Sequence, residues 1–322
     1  MEIKNFDDIV KNGMSYSGNA GNKLGIYFEN ENWILKFPKK NIAYENTNIL
    51  YTTNAISEYI GSHIYEILGY EVHKTKLGIR NNKLVVACKD FTDENIKLVE
   101  LKFIYNDDLD EKELERESFK TGKTEYINIL ELCFIFDNNE KLNKIKGLKE
   151  RFFDMLVIDA FISNNDRHLG NFGILKYKDK NTLAPIYDNG NSFFNKTERE
   201  KFQIMLNDEI KFNSILKGAT IPYEFNGKQI NPLVVISRLT FGKDDKNKSI
   251  NEKMDNYLKK AILRNQPKIQ KNIDKILKMI DEIPEQYNGI DIIYKQQKDF
   301  YKKLLKDRLE KIITPAFNEL NN

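Results

Sequence analysis

Apolar and polar residues alternate with a period of two over residues 24–28 and again over 33–37, with polar residues 29–32 between them. That pattern predicts two strands joined by a turn. The period then lengthens. Over residues 52–69 the stripe Ile56, Tyr59, Ile60, His63, Ile64, Ile67 and Leu68 recurs at helical spacing, with Asn54 or a neighbouring threonine as the cap and Gly69 as the stop. His63 falls on that stripe and reads as a packed, hydrogen-bonded side chain. Residues 70–80 and 83–88 return to strand patterning around the turn pair Asn81-Asn82. The alternation ends at Lys89, Asp90, Phe91 and Thr92, the natural place for a linker.

Beyond the linker the pattern is mostly helical. Residues 107–118 form a charged face, read as a solvated helix or loop, whereas 126–136 and 149–162 are strongly apolar helices. Residues 254–263, 268–280 and 291–313 read as amphipathic helices, separated by Pro267 and Pro284 and ended near Pro315. Within this half, residues 172–177 and 182–187 predict a hairpin with 178–181 as its turn. The chain therefore divides into a sheet-rich part, 1–92, and a mostly helical part, 93–322, of the α+β class, with no internal repeat.

Composition narrows the classes of function. A chain of 322 residues is long enough for two lobes with their own cores, and 40% hydrophobic with 31% charged residues is the balance of a soluble globular protein. A net charge of +3 is too small to argue for nucleic acid as a partner. Cys88 and Cys133 sit in apolar surroundings without metal-ligand spacing, as buried thiols of a reducing compartment do. His63, His73 and His168 stand well apart, which disfavours a transition-metal site. The first residues lack the apolar run of a signal peptide, and no run is long enough to span a bilayer. A cytoplasmic place is expected, with no membrane partner, and export by a signal-less route stays open.

The candidate chemistry lies in residues 161–191. An apolar helix delivers the chain to a loop rich in Asn, Asp and Gly, and the predicted hairpin follows. Paired strands lie roughly 5 Å apart, so Asn171 before the first strand and Asp188 after the second become neighbours, with Asp166 on the loop leading in. Phosphoryl transfer from ATP needs hard oxygen ligands for Mg²⁺ and a carboxylate that orients the attacking hydroxyl and takes its proton. The spacing D-x-x-x-x-N from Asp166 to Asn171, then Asp188-Asn189-Gly190, offers that set: Asp166 as orienting base, Asn171 and Asp188 as metal ligands. The same residues also suit ordinary helix-end and turn chemistry.

Two features of the first half bear on this. Gly18, Asn19, Ala20, Gly21, Asn22 and Lys23 form a Gly-rich turn whose N–H groups can face phosphate oxygens, although it lacks the G-x-G-x-x-G pattern and a simple hairpin turn explains it as well. Lys36, between Leu35 and Phe37, points to the opposite face from them, toward phosphates in a cleft or toward solvent. Glu58 is a candidate partner for Lys36. A helical wheel nevertheless sets it nearly opposite the apolar stripe, where glutamates usually face water.

The motifs N-N-D-R-H-L-G-N at 164–171, A-P-I-Y-D at 184–188, I-L-K-F-P at 34–38, S-E-Y at 57–59 and L-V-V at 84–86 together resemble the HipA-like serine/threonine kinases over most of the chain. The likeness is to the short form, without the domain that the longer toxin members carry ahead of the Gly-rich turn. An antitoxin-like or host partner therefore stays open. The resemblance implies a two-lobed protein-kinase-like fold, with one main helix in the sheet-rich lobe, and ATP with Mg²⁺ as cofactors. It implies a protein substrate with a Ser or Thr acceptor and autophosphorylation, for which Ser15, Ser17 and Ser192 are candidate hydroxyls. Asp166, Lys36 and Glu58 would be catalytic. Residues 18–23, Lys36, His168, Asn171 and Asp188 would contact the nucleotide, Lys89, Asp90 and Phe91 would offer hinge groups to adenine, and the segment from 190 to about 223 would recognise substrate. A small-molecule kinase of the aminoglycoside or choline type, an inactive nucleotide-binding interaction module and a DNA-binding protein are the rival readings.

Overall fold

A computed structural model describes residues 1–14, 16, 23–38, 53–108 and 126–322. Ser15, Ser17, residues 18–22 of the Gly-rich turn and most of the charged face at 107–118 lie outside the described residues. The chain begins with β1 (Lys4–Asn5), β2 (Lys23–Phe28), β3 (Glu31–Lys36), α1 (Asn54–Ile67), β4 (Thr75–Arg80) and β5 (Lys83–Lys89). The strands form one five-stranded sheet in the order β1-β4-β5-β3-β2, antiparallel except for the parallel pair β1 and β4.

Because successive strand residues point to opposite faces, this sheet serves two cores. Ile26, Trp33, Leu35, Val85 and Ala87 face outward under a cover that includes Phe6. Leu77, Ile79, Val86 and Cys88 face the other way and share a core with Ile56, Ile60 and Ile64 of α1. Lys36, one residue from Leu35, thus emerges on the side of α1.

Two expectations are corrected here. The start of α1 has no side-chain cap, since Thr53 gives both its N–H and its hydroxyl to the carbonyl of Asn195, at 2.8 and 3.2 Å. The strand expected from residue 70 begins only at Thr75. Residues 71–73 instead pair with Ile186, whose N–H donates to Glu71 O at 2.9 Å and whose carbonyl accepts from His73 N–H at 3.0 Å.

The chain continues through β6 (Ile96–Glu100), α2 (Leu101–Asp108), β7 (Ile127–Asn128), α3 (Ile129–Asn138), α4 (Leu148–Ile162), β8 (Gly173–Tyr177) and β9 (Lys180–Leu183). Every residue from Phe152 to Ile162 is buried, which makes α4 a core helix rather than an amphipathic one. The expected hairpin is a three-stranded sheet, because β6, unforeseen, pairs with β8 with Leu98 opposite Leu175. Its turn is Lys178-Asp179, shorter than expected, and β9 stops at Leu183. Pro185 cannot donate to a ladder, and the chain leaves there to meet residues 71–73.

The last part holds α5 (Arg199–Asn207), α6 (Glu209–Leu216), β10 (Tyr223–Phe225), β11 (Lys228–Gln229), α7 (Pro232–Arg238), α8 (Lys248–Asp281), β12 (Gln286–Tyr287), β13 (Ile290–Asp291), α9 (Lys295–Arg308) and α10 (Thr314–Asn321). The two helices expected on either side of Pro267 are one 34-residue helix, α8. Pro267 lies on its exposed side, where water can serve the Leu263 carbonyl it leaves without a donor, while Leu258, Ile262, Ile269 and Ile276 keep the buried stripe continuous. The expected stop near Pro315 also fails. A π-turn at Leu309–Ile313 carries the chain into α10, and Pro315 sits in its first turn, where a missing N–H is harmless.

Pro267→Ala should therefore raise stability. The restored hydrogen bond and relieved clash, worth up to about 3 kcal/mol, exceed the roughly 0.4–1 kcal/mol that proline contributes by restricting the unfolded chain. A rise of about 1–2 kcal/mol in urea denaturation is expected, and an unchanged or lower midpoint would show that the helix already accommodates the ring without strain.

Candidate active site

Lys36 at the end of β3 emerges between two carboxylates. Its Nζ lies 2.8 Å from Glu58 Oε2 and 3.2 Å from Asp188 Oδ1. The Lys36 side chain is 12% exposed, Glu58 1% and Asp188 30%, so the cluster opens to solvent on the side of Asp188. Burial works to discharge Lys36, but Asp188 and Glu58 outweigh it and hold its pKa well above the usual lysine value. Burial likewise opposes the charge on Glu58 and on Asp188. The ammonium of Lys36 prevails at both, and both carboxyls are held below the ordinary range.

Glu58 was expected to face water if the wheel alone governed it. It is buried because α1 is covered on two sides: the sheet packs on its apolar stripe, and residues 189–192 pack on the other. Glu58 Oε1 accepts from the backbone N–H of Asn189 and from His73 Nε2, each at 2.9 Å. Ser57 Oγ donates to Ser192 O at 2.8 Å and Asn189 Nδ2 to Ser62 Oγ at 3.0 Å. Two glycines permit this closeness: a methyl at Gly61 would lie 2.9 Å from Asn189 Cβ, and one at Gly190 would lie 3.2 Å from Glu58 Oε2.

The second half of the site is tied by Arg167, to which the motif reading gave no role. This buried guanidinium pairs with Asp159 of α4, Nε to Oδ2 at 2.8 Å and Nη2 to Oδ1 at 3.1 Å. Its Nη1 donates to Asn171 O at 3.1 Å and also to Tyr187 O, while Nη2 donates to Asn189 Oδ1 at 2.5 Å. One cation therefore gathers the loop of residues 166–171 and the chain at 187–189. The signal was present in the sequence, since Asp154 and Asp159 in the otherwise apolar stretch 152–162 each required a cationic or hydrogen-bonding partner. Asp154 finds Arg264, with Nη2 at 2.7 Å.

Within the loop, Asn171 Nδ2 donates to Asp166 O at 2.8 Å, which fixes the two residues together and leaves the side-chain oxygen of Asn171 as its cation-binding atom type. Asp166 is exposed. His168 is exposed too, and its Nδ1 accepts from Gly170 N–H at 3.0 Å, so its ring caps a local turn.

The hinge residues divide. The N–H groups of Lys89 and Asp90 already donate to Lys74 O at 2.8 Å and Asn32 O at 2.9 Å, and the ammonium of Lys89 is held by Glu31 at 2.5 Å. These N–H groups are therefore used within the lobe, and the hinge groups left to face a ligand are the carbonyls and the N–H of Phe91. Among the described hydrogen bonds the N–H of Phe91 takes no part, and its ring lies 5.7 Å from that of Tyr187. Tyr16, unnoticed in the sequence, donates its hydroxyl to Asp90 Oδ2 at 2.7 Å. Burial and that carboxylate push its pKa up to about 12. Lys23 stands opposite Lys36 in the strand register, and burial together with Lys36 lowers its pKa.

Two donor sets bear on metal binding. Asp188, ionised, and Asn171 offer oxygen only, a chemistry that fits Mg²⁺. Glu58, His73 and Cys88 also bring ligand-type atoms within 4.8 Å of one another. There, however, Glu58 is committed to Lys36 and burial pushes the Cys88 thiol up, so the set fits charge pairing and packing rather than a metal.

The model of the family described as "HipA-like C-terminal domain" matches residues 14–281. The chain belongs to this family. HipA-like relatives agree with the geometry. Serine/threonine-protein kinase CtkA of Helicobacter pylori is 32% identical over 305 residues, spanning 94% of this chain and 83% of the relative. The crystal structure of the H. pylori proinflammatory kinase CtkA superposes with a TM-score of 0.80 at 28% identity, covering 99% of this chain and 98% of that one. HipA of Shewanella oneidensis, solved with HipB and operator DNA, gives a TM-score of 0.56 at 12% identity over 96% of this chain and 67% of that one, a likeness of fold alone. The α+β kinase-like fold of this HipA-like chain is thereby shown, and among its described residues no helix is long and apolar enough to cross a membrane.

The depressed carboxyl pKa values set an acid dependence. A carboxyl whose folded pKa lies below its unfolded value of about 4 contributes stability fully present above that value and lost as pH falls toward the folded one. Glu58→Gln should cost about 3 kcal/mol at neutral pH, because it removes one partner of a buried pair, and should flatten the loss of stability below pH ~4. Urea melts from pH 7 to pH 2.5 test both; parallel curves for the two proteins would exclude Glu58 as an acid-titrating stabiliser.

Proposed function

We propose that this HipA-like chain is a protein serine/threonine kinase that transfers the γ-phosphoryl group of ATP with Mg²⁺. The observation that carries the reading is Lys36, held between Glu58 and Asp188, beside a loop in which Arg167 binds the backbones of Asn171 and Tyr187 together. The kinase name of the H. pylori relative supports it.

In this reading Lys36 contacts phosphate oxygens, its charge secured by two carboxylates. Lys23, at the end of the Gly-rich turn, adds a second cation. The side-chain oxygens of Asn171 and Asp188 hold Mg²⁺, which supplies charge neutralisation on the phosphates. Asp166 orients the substrate hydroxyl and takes its proton as the new O–P bond forms and the bond from the γ-phosphorus to the ADP oxygen breaks. Autophosphorylation belongs to the reading, but not at Ser192. That residue is fully buried, with its hydroxyl donating to Asn189 O at 2.8 Å.

Asp166→Asn should lower phosphoryl transfer by about 10²- to 10⁴-fold while leaving Mg-ATP binding near the wild-type level. Full activity in that variant, measured by mass spectrometry after Mg-ATP treatment, would remove Asp166 from its role. Asp188→Ala should instead weaken nucleotide binding in Mg²⁺ more than in EDTA. Calorimetric titration checks this, and equal losses in the two buffers would count against metal ligation.

A further inference from the structure

A groove of about 280 Å³ opens beside the candidate site. Asn165, the residue before Asp166, and Asn191, three residues after Asp188, line it and are hydrogen-bonded to each other. Phe194, partly buried against the core, lines it with an apolar surface, and Lys196, Glu198 and Lys201 supply its charge. Glu198 pairs with Lys201 at 3.2 Å, and among the described ion pairs Lys196 has no carboxylate. The groove's lining thus carries more lysine than carboxylate charge.

We propose that this groove seats the segment of a protein substrate that flanks the acceptor hydroxyl, and that Lys196 and Lys201 select substrates with Asp or Glu near that acceptor. The inference rests on the kinase reading above. Three or four extended residues span about 10–14 Å, enough for a chain whose acceptor lies at Asp166 to place its neighbours in the groove. Phe194 offers the flanking chain an apolar contact, while the amides of Asn165 and Asn191 match peptide N–H and C=O groups. An acidic flank complements the lysines, and a basic flank meets like charge.

The test uses the full chain, labelled Mg-ATP and a library of peptides centred on Ser or Thr. Peptides with Asp or Glu within three residues of the acceptor should be phosphorylated with a kcat/KM about three- to tenfold above matched Lys peptides, the range expected of partly exposed charge pairs. Joint substitution Lys196→Glu and Lys201→Glu should abolish or invert that preference while Mg-ATP affinity stays unchanged. Should charge reversal lower the melting midpoint, Lys196→Gln is read in its place, with the preference narrowed about twofold. Transfer without acid preference, or a preference that the substitutions leave intact, overturns the inference and leaves the kinase reading standing. Autophosphorylation without transfer to any peptide overturns the inference alone, and absence of both overturns the kinase reading with it.

Discussion

The carboxylate of Glu58 is the constraint on which the site depends. Burying a charged group costs several kcal/mol unless its lone pairs are filled, and Glu58 fills them from three directions: Lys36 of the sheet, His73 beyond α1, and the backbone N–H of Asn189. None of these partners is local in sequence. The sheet, α1 and the chain after Asp188 can therefore leave their places only together, since withdrawing any one strands a buried charge. Gly61 and Gly190 are the steric side of the same constraint, because a side chain at either would hold the layers apart.

Arg167 does the corresponding work behind the loop, and the two networks meet at Asn189. Its N–H goes to Glu58, its Oδ1 accepts from Arg167, and its Nδ2 reaches Ser62. Asp188, the neighbouring residue, has a φ of +58°, a conformation that costs most residues about 1 kcal/mol or more but that Asp tolerates well. With both sides of the turn anchored, that conformation is held by the fold itself. A ligand oxygen set before its cation arrives avoids the entropy of ordering it at binding, which is the advantage of building a site on fixed elements.

What was legible in the sequence follows from which interactions are local. The strand alternation put Lys36 on the correct face because the period of two is a property of the backbone alone. The D-x-x-x-x-N spacing marked a loop that closes on itself, with Asn171 bonding Asp166 five residues away. Glu58 misled the helical wheel because a wheel assumes one covered face, and the second cover arrives from 131 residues further on. The hinge is tied in an equally non-local way: the N–H of Asp90 goes to Asn32, a pairing fixed by the sheet. Pro267 was read as a break because the local cost of proline is visible in sequence, whereas the long apolar stripe that outweighs it is buried against α4 and visible only in the fold. Residues in the Gly-rich turn at 18–22 lie outside what the structure describes.

The segment that follows Asp188 serves both sides of the site. Phe193 and Phe194 anchor it to Tyr301 and Phe300 of α9, with ring centroids 4.8 and 5.7 Å apart. Asn195 Nδ2 donates to Gly190 O at 2.6 Å, and its own carbonyl accepts from Thr53 N–H at the head of α1. A displacement of residues 191–197 would thus be felt at Gly190, and through it at Glu58, as well as at the start of the helix that carries Glu58. The groove beside Asn191 and the charge cluster at Lys36 therefore share one covalent segment and one helix. A group whose binding displaced that segment would therefore act at Lys36 as well, and by linkage the reverse would hold with the same free energy.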